Sequence, residues 1–134
     1  MLKQARLENL PFLIKYIQSE ASKMKLSNKD LYSLQLAVEE ALVNIIQYAY
    51  PKENDGTVEV ECLALDNKVI EITIKDKGVP FNPVNYGKVD TLASLENRKV
   101  GGLGIFYMKE TMDEVSYFRK GKVNILKLKK VCKT

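Results

Sequence analysis

The sequence predicts an α+β two-layer sandwich, in which a mixed, mostly antiparallel sheet is covered on one face by helices. Two patterns and their order predict this class. Apolar residues at helical spacing indicate two N-terminal helices, and alternating apolar residues indicate strands that follow one another without a helix between them. Strands joined by short turns pair antiparallel, which leaves the helices to cover one face of the sheet. With 134 residues, the chain is expected to form one domain over 1–134.

The first half of the chain predicts a short strand and two helices. Residues 2–7 are compatible with a strand, and a repeat of apolar side chains predicts a helix over 9–25. Ser27, followed three positions later by Asp30, indicates a capping box that begins the second helix. That helix is expected to end near 50–51, because a proline and an Asn-Asp-Gly turn stop it.

The second half predicts two hairpins separated by one helix. Alternation over 57–65 and 69–75, with an Asp-Asn turn between them, predicts the first hairpin. An apolar segment that begins with glycines predicts a helix over 103–112. The strands of the second hairpin are predicted over 114–118 and 122–130.

The composition excludes several classes of function. The chain has no histidine. This excludes histidine-ligated zinc sites, Ser-His-Asp catalysis and self-phosphorylation on histidine within this chain. Its apolar runs are far shorter than the roughly 20 residues that cross a bilayer, so no membrane association is expected. Cys62 and Cys132 form no CxxC pair, and the N-terminus has no apolar signal segment; both features favour a cytoplasmic protein.

The net charge of +4 raises the question of a nucleic-acid partner. Many of the lysines lie near the C-terminus, and a basic surface is one interpretation of them. They alternate with apolar residues, however, as on the solvated face of a strand, and aromatic residues do not interleave with them as a stacking surface requires. No direct nucleic-acid partner is therefore expected.

A carboxylate and an amide lie one turn apart in the second predicted helix. Glu40 and Asn44 are at positions i and i+4, so their side chains emerge together. They lie opposite the apolar stripe, which favours a solvated face, whereas the flanking Leu36 and Val43 favour a pocket wall. In a pocket, Glu40 suits a general base and the Asn44 amide oxygen suits Mg²⁺. Both interpretations stay open at this point.

Asp76 is predicted to place a carboxylate on the buried face of the sheet. It continues the phase of Ile70, Ile72 and Ile74, whose side chains share one side of their strand. A buried ionised acid needs hydrogen-bond donors, and the exocyclic amine of adenine is a suitable donor. Gly78 would let a flat base approach the backbone closely. The alternative interpretation is a strand-ending turn that binds no ligand.

Glycines begin the last predicted helix. Gly101, Gly102, Leu103 and Gly104 precede its apolar run, and a helix N-terminus presents free N–H groups to phosphate. The alternative is a flexible hinge. The segment is neither a P-loop nor a dinucleotide fingerprint, because the Gly-Lys pairs of the chain lack a following Ser or Thr and the third glycine of the fingerprint is missing.

The irregular stretch before these glycines is predicted to be a lid over about 82–100. It exceeds the roughly 12–15 residues beyond which unstructured connections are uncommon and often functional. Its position suits a segment that closes over a triphosphate. Arg98 is a candidate to meet the terminal phosphate, and the alternative is an ordinary loop charge. The motifs together predict a pocket for a purine nucleotide.

In this order the motifs resemble those of the bacterial anti-sigma-factor serine/threonine kinases, members of the Bergerat-fold or histidine-kinase-like (GHKL) ATPases. The likeness covers nearly the whole chain. Residues 36–46 resemble the N box of that family, 76–83 its first glycine box and 101–117 its second. The resemblance implies the histidine-kinase-like ATPase fold.

The resemblance also implies roles for individual residues. Glu40 matches the general base that deprotonates a serine hydroxyl on a protein substrate, and Asn44 matches the Mg²⁺ ligand. Asp76 matches the acid that reads adenine, and Gly78 matches the glycine beside the base. The residues that match nucleotide-contacting positions of the lid and the phosphate segment are Arg98, Gly101, Gly102, Leu103 and Gly104.

The function that the resemblance implies is partner switching with ATP and Mg²⁺ as cofactors. The chain would be an ATP-dependent serine/threonine protein kinase and an anti-sigma factor. It would phosphorylate a small anti-anti-sigma (STAS-type) protein, bind a sigma factor or another regulated protein, and form a homodimer. The alternative function is a non-catalytic regulatory module in which ATP gates protein binding.

Overall fold

The computed structural model describes residues 1–50, 56–66, 68–80 and 102–132, and its helices and strands follow the predicted order. A 3₁₀ turn precedes the first helix, and a π-helical turn extends the second. In chain order, the elements are β1 (Leu2–Gln4), α1 (Leu10–Ala21), α2 (Asn28–Asn44), β2 (Thr57–Leu65), β3 (Val69–Asp76), α3 (Gly102–Thr111), β4 (Glu114–Lys120) and β5 (Val123–Val131).

The five described strands form one sheet in the order β1-β2-β3-β5-β4. The predicted two-layer architecture with a largely antiparallel sheet is confirmed. A mixed sheet was expected, but the four pairs among the described strands are all antiparallel. The tight turn at Gly121, whose φ of 61° suits glycine, reverses the chain between β4 and β5. The sheet then places β5, and not β4, beside β3, so β5 runs antiparallel to both of its neighbours.

The core lies between the helices and one face of the sheet. The side chains of Leu34, Val38 and Leu42 in α2 are fully buried and belong to the same cluster as Ile72 and Ile74 of β3. Their spacing of three or four residues in the helix and two in the strand is the periodicity that the sequence shows. This packing fixes α2 over the centre of the sheet. Among the described residues, no helix is long and apolar enough to cross a membrane.

The start of α2 follows the predicted cap only in part. The Ser27 hydroxyl accepts a hydrogen bond from the backbone N–H of Asp30 at 3.0 Å, as an N-cap requires. The Asp30 carboxylate pairs instead with Lys130 of β5, at 3.8 Å. The helix predicted over 9–25 ends earlier, at Ala21, because the chain must turn before Ser27, whose backbone is extended.

The end of α2 widens into the π-helical turn Ile45–Ala49. Such turns redirect the carbonyl groups of a helix and are frequent at functional sites. The carbonyl of Ala49 accepts a hydrogen bond from the backbone N–H of Val79 at 2.7 Å. The Tyr50 hydroxyl donates to the carbonyl of Thr57 at 2.5 Å and accepts from the N–H of Lys77 at 2.9 Å. These bonds hold the helix end against the segment that follows β3.

The N-cap of α2 gives a stability prediction. Ser27→Ala removes the side-chain acceptor for the N–H of Asp30, so we expect the free energy of unfolding to fall by about 1 kcal/mol. Ser22→Ala is the matched control, since the exposed Ser22 hydroxyl only donates to the carbonyl of Ser19. Urea denaturation should show a lower midpoint for Ser27→Ala alone. Equal midpoints for the two variants would contradict the assignment of the cap.

Candidate functional site

A pocket lies where the end of α2, the end of β3, α3 and the β4–β5 hairpin meet. Apolar side chains form much of its wall, and five side chains with polar groups also line it: Asn44, Tyr48, Asp76, Tyr117 and Asn124. Its cavity volume is about 40 Å³, which is room for a few water molecules. A flat ring can enter only when rim side chains such as the half-exposed Tyr48 and Val79 move outward.

The first candidate pair is Glu40 and Asn44, which the helix brings together on its pocket side. The Asn44 side-chain N–H donates to the Glu40 carboxylate at 3.2 Å. Asn44 is only 6% exposed, so the solvated-face interpretation is wrong for it. No donor among the described residues contacts the Asn44 amide oxygen. That oxygen can therefore bind a cation or accept a hydrogen bond.

The second candidate group is the Asp76 carboxylate, which the pleat of β3 directs to the buried face as predicted. Asp76 is 6% exposed. One carboxylate oxygen accepts hydrogen bonds from the Gly78 N–H and from the Asn124 side chain, both at 2.9 Å. The other oxygen has no donor among the described residues. A buried acceptor without a partner is costly, so it favours a ligand that brings a donor.

Burial acts on both carboxyl groups of the site. It raises the pKa of Asp76, and the hydrogen bonds from Asn124 and Gly78 and the charge of Arg119 oppose that rise. Burial also raises the pKa of Glu40, against the hydrogen bond from Asn44. A raised pKa makes Glu40 a stronger base than an ordinary surface glutamate.

Gly78 is required by the protein backbone itself. A Cβ at this position would lie 2.2 Å from the carbonyl oxygen of Ala49, the residue that ends the π-helical turn. The sequence suggested that glycine makes room for a flat base, which stays a prediction. The structure gives a reason that does not depend on a ligand: only glycine lets the segment after β3 pack against the end of α2.

Gly104 brings the first turn of α3 against Glu40. A Cβ on Gly104 would lie 2.0 Å from the carboxyl carbon of Glu40. The phosphate-binding candidate and the candidate base are therefore neighbours in space, although 64 positions in the printed sequence separate them. Gly102 and Leu103 belong to the same first turn of α3.

The predicted site residues thus divide into two groups. The structure brings Glu40, Asn44, Asp76, Gly78 and Gly104 to the region where α2, β3 and α3 meet, and it places Gly102 and Leu103 in the first turn of α3. The predicted lid over 82–100, with Arg98 in it, and Gly101 lie outside the described residues, so the expectations for them stay predictions.

Sequence reasoning missed three residues that surround Asp76. Asn124 lies directly opposite Asp76 in the β3–β5 pairing, and its amide oxygen accepts from Tyr117 and Arg119. One signal was present: Asn124 shares the phase of Leu126 and Leu128, where a polar side chain interrupts a buried apolar row. Its partner was not visible, because the register of β3 with β5 is not local in sequence.

Comparisons with known proteins agree with this architecture. The family model described as "Histidine kinase-like ATPase domain" matches residues 4–130. The serine-protein kinase RsbW of Listeria monocytogenes is 30% identical over 113 residues, which cover 81% of this chain and 71% of that protein. RsbW of Staphylococcus aureus is 32% identical over 101 residues, 72% of this chain and 63% of that protein.

Solved structures of histidine kinases share the fold. The histidine kinase domain of the blue-light-activated kinase EL346 from Erythrobacter litoralis superposes with a TM-score of 0.57 at 16% identity. The match covers 87% of this chain, which spans 59% of that domain's length. AdeS from Acinetobacter baumannii gives a TM-score of 0.54 at 11% identity, over 100% of this chain and 68% of that one. At these identities the likeness concerns the fold alone.

The two site glycines should respond differently to alanine. In Gly78→Ala, the new methyl group meets the Ala49 backbone, so we expect a loss of about 1–3 kcal/mol in the free energy of unfolding. In Gly104→Ala, the nearest atoms to the methyl group belong to the flexible end of Glu40, and alanine favours the helix by up to about 1 kcal/mol. Chemical denaturation measures both. Equal losses would contradict the contact between Gly78 and Ala49.

Proposed function

The chain belongs to the histidine kinase-like ATPase domain family, and from that premise we propose that it is an ATP-dependent protein serine kinase. One observation carries the proposal. A buried carboxylate, Asp76, and a buried amide, Asn44, line one pocket, and each has an oxygen without a donor among the described residues. A magnesium–purine complex supplies a matching partner to each oxygen, a donor amine to the first and a cation to the second.

Asp76 binds the base in this proposal. Its free oxygen accepts a hydrogen bond from the exocyclic amine of adenine, and the apolar wall formed by Ile45, Met108 and Leu126 contacts the faces of the ring. Pockets for small ligands combine apolar walls with a few oriented polar groups in this way. The pocket admits the ring once its rim side chains move outward.

Asn44 holds the magnesium ion. An amide oxygen is a hard ligand of the kind that Mg²⁺ takes, and Mg²⁺ usually completes its octahedron with phosphate oxygens and water. The hydrogen bond from Asn44 to Glu40 fixes which atom of the amide is nitrogen and leaves the oxygen for the ion. When bound, the ion neutralises charge on the phosphates, which is a large part of catalysis in phosphoryl transfer.

Glu40 is the general base. Its carboxylate lies beside Gly104 in the first turn of α3, where free backbone N–H groups favour phosphate. There the oxygen of a serine hydroxyl on a protein substrate would bond to the γ-phosphorus of ATP while the bond from that phosphorus to the bridging oxygen breaks and ADP leaves. The hydroxyl proton goes to Glu40. Burial raises the pKa of Glu40, which improves the acceptance of that proton.

The protein substrate that the proposal favours is a small anti-anti-sigma (STAS-type) domain, and the second partner is a sigma factor or another regulated protein. The supporting finding is the similarity to kinases named RsbW over most of the chain. We further infer a cytoplasmic homodimer. Arg98 and Gly101, with the predicted lid, are proposed to complete the contacts with the phosphates.

The proposed base gives a kinetic prediction. In Glu40→Gln, phosphate transfer to the acceptor serine should fall by about 10²–10⁴-fold, while ATP binding persists. Glu39→Gln is the matched control on the same helix and should keep its activity. Transfer from radiolabelled ATP to a purified anti-anti-sigma domain measures both. Normal transfer by Glu40→Gln would refute this role, and intact bound ATP without transfer by the native protein would favour the ATP-gated module.

The same reaction should depend on pH through Glu40. The base must be ionised, so the rate should fall as the pH drops through the pKa of Glu40. Burial raises that pKa, so the midpoint should lie above 4.5, the ordinary value. In Glu39→Gln the midpoint should move to lower pH, because the charge of Glu39 also raises the pKa of Glu40. A pH–rate profile that is unchanged in both Glu39→Gln and Glu40→Gln would contradict the assignment of Glu40 as the base.

Asp76→Asn should separate binding from stability. The substitution exchanges the acceptor oxygen for an amide, so calorimetry should show most of the ATP affinity lost. Burial raises the pKa of Asp76 above 3.8 in the folded state. The folded protein therefore binds that proton more tightly, and ionisation lowers stability as the pH rises through the pKa. At neutral pH, Asp76→Asn should unfold at no lower temperature than the native protein.

Asp66→Asn is the control for that experiment, since Asp66 is exposed in the β2–β3 turn and asparagine tolerates its positive φ of 55°. It should leave both ATP affinity and melting temperature unchanged. Undiminished ATP binding by Asp76→Asn would count against adenine recognition at this carboxylate.

A further inference from the structure

A row of polar side chains crosses three strands at the end of the pocket. Asp76 of β3 is paired with Asn124 of β5, and Asn124 is paired with Arg119 of β4. Directly opposed residues are the closest side-chain neighbours in an antiparallel sheet. The register of the sheet, rather than a loop, therefore holds this row together.

Asn124 is the centre of the row, and both the nitrogen and the oxygen of its side-chain amide form hydrogen bonds. The side-chain nitrogen donates to Asp76 at 2.9 Å and lies 3.2 Å and 3.0 Å from the carbonyls of Gly78 and Val79. The side-chain oxygen accepts from the Tyr117 hydroxyl and from the Arg119 guanidinium. Because those two groups donate, the amide orientation is fixed and its nitrogen must face Asp76.

Arg119 lies at the β4 end of the row. Its guanidinium donates to the Gly78 carbonyl at 3.0 Å and to Asn124 at 2.9 Å. It therefore fixes both the segment after β3 and the residue that contacts Asp76. Asn124 is only 4% exposed, whereas Arg119 is exposed. The network is therefore buried at the Asp76–Asn124 end, and each hydrogen bond orients the next.

We propose that Asn124, held by Tyr117 and Arg119, is a positioning residue for base selection, which makes the site choose a 6-amino purine over a 6-oxo purine. The inference rests on the proposed ATP site and extends it. Asn124 and the Gly78 N–H bind the same oxygen of Asp76, and together they fix the rotation of the carboxylate. It also favours the ionised form of the acid, which can only accept hydrogen bonds.

The chemistry of the two purines explains the selection. Adenine presents an amine at position 6, and an oriented carboxylate accepts from it. Hypoxanthine presents a carbonyl oxygen there, and this oxygen faces a second acceptor. Without Asn124, only the Gly78 N–H holds the shared oxygen of Asp76, so the carboxyl group is less restrained. Its burial then favours the protonated form, which donates to a carbonyl. Loss of Asn124 should therefore weaken ATP binding more than the binding of inosine triphosphate.

The test measures the dissociation constants of ATP and inosine triphosphate by calorimetry for the native protein and three variants. Asn124→Leu removes donor and acceptor at similar volume, and Asn124→Thr keeps a hydroxyl donor on a strand-compatible side chain. Lys120→Gln is the matched control, because Lys120 is the next basic residue of β4 and is exposed.

We expect Asn124→Leu to raise the dissociation constant of ATP by about tenfold or more, the effect of a lost hydrogen bond to a charged group. The constant for inosine triphosphate should change much less, so the preference for ATP falls by about tenfold. Asn124→Thr should recover part of the preference, and Lys120→Gln should keep it.

Equal weakening of both nucleotides in Asn124→Leu would overturn the inference and leave Asn124 a merely structural residue. Should that variant fail to fold, Tyr117→Phe and Arg119→Gln test the same network from its more exposed end, and both should lower the preference for ATP in the same direction. An unchanged preference in both would overturn the inference too. If the native protein binds no ATP, that result would instead refute the proposed function, on which the inference rests.

Discussion

The Asp76 carboxylate is buried at the end of β3, and its need for hydrogen-bond donors constrains the structure around it. An acid without donors in such a place would lose much of its hydration free energy. The protein supplies two donors to one oxygen, the N–H of Gly78 and the side chain of Asn124. The first requires a tight turn immediately after β3, and the second requires β5 beside β3 in one fixed register.

The end of α2 depends on that same turn. Gly78 can follow Asp76 closely only because it has no Cβ to meet Ala49, and Val79 then donates to the Ala49 carbonyl that the π-helical turn directs outward. The helix that carries Glu40 and Asn44 is thereby held at a fixed position relative to Asp76. Residues that contact base, cation and acceptor hydroxyl in the proposed function are thus positioned by rigid elements rather than by loops.

The sequence predicted the local elements well and the contacts between distant strands poorly. Periodicity located the helices and hairpins, and the phase of Ile70, Ile72 and Ile74 placed Asp76 on the buried face. The end of α1 was placed too late, because apolar spacing does not reveal where the chain must turn toward the Ser27 cap. Asn124 was missed because its role depends on the pairing of β3 with β5. The packing of Gly78 against Ala49 was missed because the two residues are far apart in sequence.

A crystal structure of the chain with Mg²⁺ and a non-hydrolysable ATP analogue would test base recognition at Asp76. We expect the adenine amine to lie 2.7–3.2 Å from the Asp76 oxygen that Asn124 does not bind, the range of an N–H···O hydrogen bond. Asn124 should keep its bond to the other oxygen. A nucleotide bound with its base away from Asp76, or Asp76 turned away from Asn124 in the complex, would contradict it.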